Sequence, residues 1–179
     1  QNSVYTTVQT RDGYLWLAGR AKDLIIRGGH NIDPQVIEEC LCEHPDVALA
    51  AAVGQPDAHA GEVPMAYVVL REGSTASSEA LREFAAGRIP ERAAVPVRIE
   101  IIAQMPVTAV GKIFKPRLRH LAIERVCGEL LQVKGIEASV TVRDDKRLGT
   151  VAAIRLADET IRDTATAALA RLTVTNEIE

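Results

Sequence analysis

A chain of 179 residues has the length for one domain or two small ones, with a true hydrophobic core. A formal net charge of −3 leaves no broad basic surface, and two Phe, three Tyr and one Trp give few platforms for stacked bases, which argues against nucleic acid as a partner. The longest strongly apolar run, residues 47–53, is too short to span a bilayer, and no charged-then-apolar signal segment opens the chain, so the sequence predicts a cytoplasmic protein with a small-molecule partner.

The chain opens at Gln1 rather than Met, and residues 1–13 read as a linker or the start of a fragment. Residues 14–17 and 23–27 suit two short strands, with Gly19-Arg20 as the hairpin turn between them and Gly28-Gly29 ending the second. Asn31 or Asp33 then caps a helix that has Pro34 at its first position and Val36, Ile37, Cys40 and Leu41 along one side, stopped by His44-Pro45. Residues 47–53 predict a buried strand, 54–61 a loop and 65–70 a further strand. Ser77 or Ser78 caps a helix over 79–88 with Leu81, Phe84 and Ala85 inward, and 97–101 alternate apolar and charged residues as a strand with one wet face does. After the hairpin the order is helix, strand, strand, helix, strand, which predicts a small α+β sheet with helices packed on it.

Pro116 starts a helix on which Leu118, Leu121, Ala122, Val126, Leu130 and Val133 form an apolar face. Beyond Gly135 the earlier pattern returns: strand 136–142, polar turn 144–147, strand 150–156 and helix 160–172, with Gly149 in the place of Gly61. The predicted fold is therefore α+β, with an N-terminal two-stranded hairpin, a small sheet with helices and a smaller strand–strand–helix subdomain. The corresponding divisions are 1–13, 14–120 and 121–179.

Cys40 and Cys42 lie two apart on a predicted helix and point in different directions, so the three cysteines read as core or surface thiols. His59 sits near Asp57 and Glu62 in a polar turn, His44 and His120 lack a second ligand at a metal spacing, and no metal site is predicted. No Gly-x-Gly-x-x-Gly occurs, and Gly111-Lys112 is followed by Ile113 rather than by the Ser or Thr of a phosphate loop.

The most informative run is 106–115, Pro-Val-Thr-Ala-Val-Gly-Lys-Ile-Phe-Lys. It sets Lys112 at the tip of a loop entered through a strand-like stretch and left into a helix, with Gly111 beside it to let the backbone bend. A second run, Gly13-Tyr14-Leu15-Trp16-Leu17-Ala18-Gly19-Arg20-Ala21-Lys22-Asp23-Leu24-Ile25-Ile26-Arg27-Gly28-Gly29-His30-Asn31-Ile32-Asp33-Pro34, precedes it. With both motifs in this order, residues 12–120 resemble the C-terminal domain of an adenylate-forming enzyme, in the superfamily of acyl-CoA synthetases, peptide-synthetase adenylation domains and luciferases.

The resemblance implies a role for each matched residue. Lys112 is the catalytic lysine of acyl-adenylate formation, Arg20 the arginine that contacts the nucleotide ribose, and Lys22 the hinge. Gly28 and Gly29 line the passage for the pantetheine thiol, where a side chain would be in the way. ATP, Mg and coenzyme A belong to the full-length enzyme, and none is expected on this chain alone. The implied partners are an N-terminal adenylation domain of the same polypeptide, which brings the phosphate loop and acyl pocket, a carboxylic acid and CoA. A peptide-synthetase adenylation domain is the runner-up; the absence of any serine after Ser78 except Ser139, in a predicted strand, favours the CoA ligase over a chain leading into a carrier domain. A non-catalytic α+β binding module is the alternative from another class.

Overall fold

In the computed structural model, residues 5–9 and 15–20 are described as backbone, and residues 23–179 with their side chains. β1 (Tyr5–Gln9) and β2 (Leu15–Arg20) pair antiparallel, Tyr5 opposite Arg20 and Gln9 opposite Leu15. This corrects the sequence reading of the first hairpin. Gly19 and Arg20 lie inside a strand rather than in a turn, and the partner strand comes from the stretch that reads as a linker. Thr6, Thr7 and Val8 are β-branched, but that preference is expressed only when a neighbour pairs with it, and short sequence windows do not show the neighbour.

Residues 23–27 belong to a different hairpin. β3 (Ile25–Arg27) pairs antiparallel with β4 (His30–Ile32), Arg27 facing His30, which leaves Gly28 and Gly29 as a two-residue turn. Both have positive φ, 56° and 86°, as the mirror-image turns of tight hairpins require. The chain then enters α1 (Pro34–Cys42), where an Asp33 carboxylate oxygen accepts from the Gln35 N–H at 2.9 Å, and Pro34 occupies the first turn, which has no partner for its missing N–H.

β5 (Val47–Asp57), β6 (Gly61–Leu70), α2 (Ser78–Ala86) and β7 (Arg98–Ile101) follow. Ser77 Oγ accepts from the Ala80 N–H at 3.1 Å and starts α2. The sheet runs β4-β3-β6-β5, with β7 also on β6 and parallel to it; α2 is the crossover such a parallel pair needs. The loop expected over 54–61 shrinks to a turn at 58–60, because both strands continue past the apolar run that signals them. Pro56 is tolerated inside β5 because that strand ends the sheet and has a free edge. Ile25, Ile32, Ile37, Leu41, Val68, Leu81 and Ile99 share one core with both helices.

α3 (Lys115–Val133) leads into β8 (Ala138–Asp145), β9 (Gly149–Leu156), α4 (Arg162–Leu169) and β10 (Thr175–Ile178). β8 pairs antiparallel with β9, and β10 pairs parallel with β9. The succession β8, β9, α4, β10 thus repeats β5, β6, α2, β7, closing parallel strand included. The hairpin turns repeat too. Asp57 Oδ1 accepts from the N–H groups of His59 and Ala60 at 2.9 and 2.8 Å, and Asp145 Oδ1 from those of Arg147 and Leu148 at 2.8 and 2.9 Å. Each turn ends on a glycine four residues after the aspartate, with φ of 78° at Gly61 and 76° at Gly149. An Asp-x-x-x-Gly signal therefore serves both hairpins by the same local chemistry.

By contact, residues up to 54 with 63–115 form one compact unit, and 55–62 with 116–179 form another. In the second, Ile123, Val126, Cys127 and Leu131 of α3 pack on Ala152, Ile154 and Leu156 of β9 and on Ala165 and Leu169 of α4. The helix face is rotated from the one read in the sequence: Leu121 and Leu130 are only partly buried, and Val133 is 82% exposed. Glu124 of α3 also accepts from the Val142 N–H at 3.3 Å, which covers part of the edge of β8 that β9 leaves open. Cutting the chain after Val133 should bare Ile123, Val126 and Leu131. At about 2 kcal/mol for each buried aliphatic side chain, the loss is several kcal/mol, and a melting temperature equal to that of the whole chain would refute it.

All three cysteines are free: Cys42 is exposed, Cys40 and Cys127 are buried, and burial pushes the Cys127 thiol up to about 11, well away from the thiolate that reacts. Among the described residues no group of three or more His, Cys, Asp or Glu is placed to hold a metal, and no helix is long and apolar enough to cross a membrane.

Candidate functional site

Residues 106–114 fold back on themselves. Phe114 donates its N–H to the Pro106 carbonyl at 2.8 Å, and Val107 and Ile113 form an antiparallel bridge. The Thr108 N–H bonds to the Lys112 carbonyl at 2.7 Å and the Gly111 N–H to the Thr108 carbonyl at 2.9 Å, so Ala109, Val110 and Gly111 make a three-residue hairpin loop. Gly111 takes the left-handed position that such loops place last, with φ of 77°; no atom lies within 4 Å of where a Cβ would stand, so backbone conformation rather than space demands the glycine. Thr108 Oγ1 accepts from the Lys112 N–H at 3.2 Å. The N–H, carbonyl and Oγ1 of Thr108 thus all bond the backbone of residues 111–112, a task that its place in the motif did not reveal.

Lys112 is exposed at the end of this hairpin, with Val107, Val110 and Phe114 exposed around it at 50, 80 and 44%. The outgoing leg is fixed three residues later. Lys115 Nζ lies 2.7 Å from Glu38 Oε1 on α1, and the same oxygen accepts from the Ala52 N–H of β5 at 2.8 Å. Sequence reading passed over Glu38; the available signal was a carboxylate immediately after buried Ile37 on an amphipathic helix.

The Gly28-Gly29 turn is also exposed, and no atom lies within 4 Å of the position a Cβ would take on either residue. Arg27, at its base, donates from Nη1 to the Ala93 carbonyl at 2.7 Å and ties the hairpin to the segment before β7. His30 and Asn31 follow on β4, both exposed. Arg20 is the last residue of β2. Lys22 lies outside the described residues. Lys112, Gly28 and Gly29 are thus presented on the tips of two separate hairpins of the first unit. The open groove between α2 and β7, lined by Ser78, Glu79, Arg82 and residues 97–101, contains none of them.

Residues 36–112 match the AMP-binding enzyme C-terminal domain. The chain belongs to that family, the C-terminal domains of adenylate-forming enzymes. Within the class, its relatives are acyl-CoA ligases and synthetases. It is 51% identical over 148 residues to the marinolic acid–CoA ligase of Pseudoalteromonas sp. (strain SANK 73390), covering 82% of this chain and 23% of that protein. It is 36% identical over 142 residues to an acetyl-coenzyme A synthetase of Pyrobaculum aerophilum, covering 78% and 21% respectively. Among solved structures, ATP-bound MatB from Rhodopseudomonas palustris superposes with a TM-score of 0.58 at 29% identity, covering 65% of this chain and 23% of that one. The chain spans about a fifth of the length of the curated relatives it matches.

Proposed function

We propose that this chain is the mobile C-terminal lid of an ATP-dependent acid–thiol ligase, an acyl-CoA synthetase, working on an N-terminal domain that holds the nucleotide and the acyl pocket. The observation that carries this reading is Lys112, exposed on a hairpin whose hydrogen bonds close on themselves, inside a matched adenylate-forming C-terminal domain.

Adenylation requires a carboxylate oxygen to attack the α-phosphorus of ATP and expel pyrophosphate, so negative charge accumulates between two anions. An ammonium on a flexible four-carbon stem can sit between the acyl oxygen and the phosphate and strengthen its contacts as that charge builds. The exposed apolar side chains of Val107, Val110 and Phe114 suit a tip that enters a partly dry cleft, where such a charge counts for more. Arg20 would contact the ribose. No step assigned to this chain runs through a magnesium ion.

In the second half-reaction the Gly28-Gly29 turn replaces Lys112 at the cleft. Two residues without side chains leave room for the pantetheine thiol of CoA, whose sulfur attacks the acyl carbon and displaces AMP. Rotation about Lys22 exchanges the two tips. The acyl-CoA ligases among the relatives support CoA rather than a carrier domain as the acceptor.

The chain alone, supplied with ATP, magnesium and a carboxylic acid, should not exchange labelled pyrophosphate into ATP, since one lysine and one arginine do not make a nucleotide site. Robust exchange by the purified chain would sink the two-domain reading.

A further inference from the structure

We propose that Glu38 and Lys115 form a latch that positions Lys112, making them positioning residues for adenylate formation; this rests on the role given to Lys112 above. The hairpin that carries Lys112 is stitched to itself by three backbone hydrogen bonds over residues 106–114, and these set its internal shape without fixing where it points. Its direction is set at its two ends. The incoming end carries Met105, a side chain only 3% exposed, and the outgoing end carries Lys115, paired to Glu38 at 2.7 Å.

The pair is built into the framework. Both side chains are about four-fifths buried, with 19 and 21% exposure, and Glu38 Oε1 is held a second time by the Ala52 N–H at 2.8 Å. β5 is the end strand of its sheet, so an amide of its open edge needs an acceptor, and the α1 carboxylate supplies one. One oxygen therefore joins α1, the edge of β5 and the residue at which α3 begins. A partly buried, charge-assisted contact of this kind holds direction better than an exposed ion pair.

Leverage makes the latch matter. Three residues at about 3.3 Å each separate Lys115 from Lys112, so a tilt of about 10° at the latch shifts the lysine by roughly 2 Å. A misplacement of about 1 Å can cost on the order of 10²-fold when a group must meet charge that exists only in the transition state. Loss of the latch should therefore slow the step that uses Lys112 and spare the step that does not.

The test uses the complete ligase, with single-turnover rates for adenylate formation and for thioester formation from preformed adenylate. Lys115→Met removes the charge and leaves Glu38 to accept from Ala52; Glu38→Gln keeps an acceptor for Ala52 and removes the charge from the other side. Each should lower the maximal rate of adenylate formation by roughly 10- to 100-fold, with KM for ATP little changed and thioester formation at the parent rate. The double variant should be no slower than either single one, because both break the same contact, and Lys115→Arg should recover most of the rate. Should Glu38→Gln misfold, Lys115→Met carries the test by itself. Parent-rate adenylation by Lys115→Met, an equal fall in both half-reactions, or no recovery with Lys115→Arg would overturn the latch. Lys112→Ala run beside them separates the two claims. If it slows adenylation and Lys115→Met does not, only the latch fails; if it leaves adenylation intact, the assignment of Lys112 fails and takes the latch with it.

Discussion

Replacing Lys112 with alanine in the complete ligase should slow acyl-adenylate formation by roughly 10²–10³-fold, the scale of one lost contact to developing charge. The substitution is clean in this fold. The Lys112 side chain is exposed, and the bonds that shape the hairpin use its backbone N–H and carbonyl, which alanine keeps. Val107–Ile113 pairing and the Gly111 turn should persist, and with them the melting temperature. Under the proposed rotation, which turns Lys112 away before the second step, transfer of a preformed adenylate to CoA should run at the parent rate. Equal loss in both half-reactions would mean that the substitution damages the domain at large.

Substitution of Gly29 should give the opposite split, and the structure shows how to separate backbone strain from obstruction. With φ of 86°, any side chain at this position is strained, at about 1–2 kcal/mol. No atom of the domain lies within 4 Å of the Cβ position, and the turn is exposed, so a Cβ added by either Ala or Leu meets no clash inside it. Gly29→Ala and Gly29→Leu therefore carry nearly the same strain and differ in how far the new side chain projects from the tip. If the turn lines the thiol passage, Gly29→Leu should lose thioester formation by roughly 10²-fold or more beyond Gly29→Ala, while both variants form adenylate normally. Equal thioester rates for the two would leave Gly29 a turn residue and nothing more.

The features legible in the sequence are those whose partners lie within a few residues. Asp33 before Pro34, Ser77 before its helix, and the aspartates that close each Asp-x-x-x-Gly turn all bond to amides two or three positions on. Gly111-Lys112 belongs with them, because the hairpin that presents the lysine is closed entirely between residues 106 and 114. The strand and helix succession from residue 34 to 169 was equally readable, since each buried face imposes its own period.

Only the tertiary structure decided what required a distant partner. Tyr5–Gln9 is a strand because Leu15–Arg20 lies beside it, and Thr175–Ile178 because β9 does; neither segment has an apolar alternation of its own. The turn at Gly28-Gly29 is steadied by an arginine bonded 66 residues away, and Lys115, just past the Lys112 hairpin, is paired with a glutamate on α1. Local propensity records the conformation a segment prefers, and the sequence of this chain determined its helix caps, its Asp-x-x-x-Gly turns and the Lys112 hairpin on that basis. Which segments meet depends instead on how the whole core closes, because a lone strand or a lone carboxylate gains its stabilisation only from a neighbour that the chain must first loop back to reach.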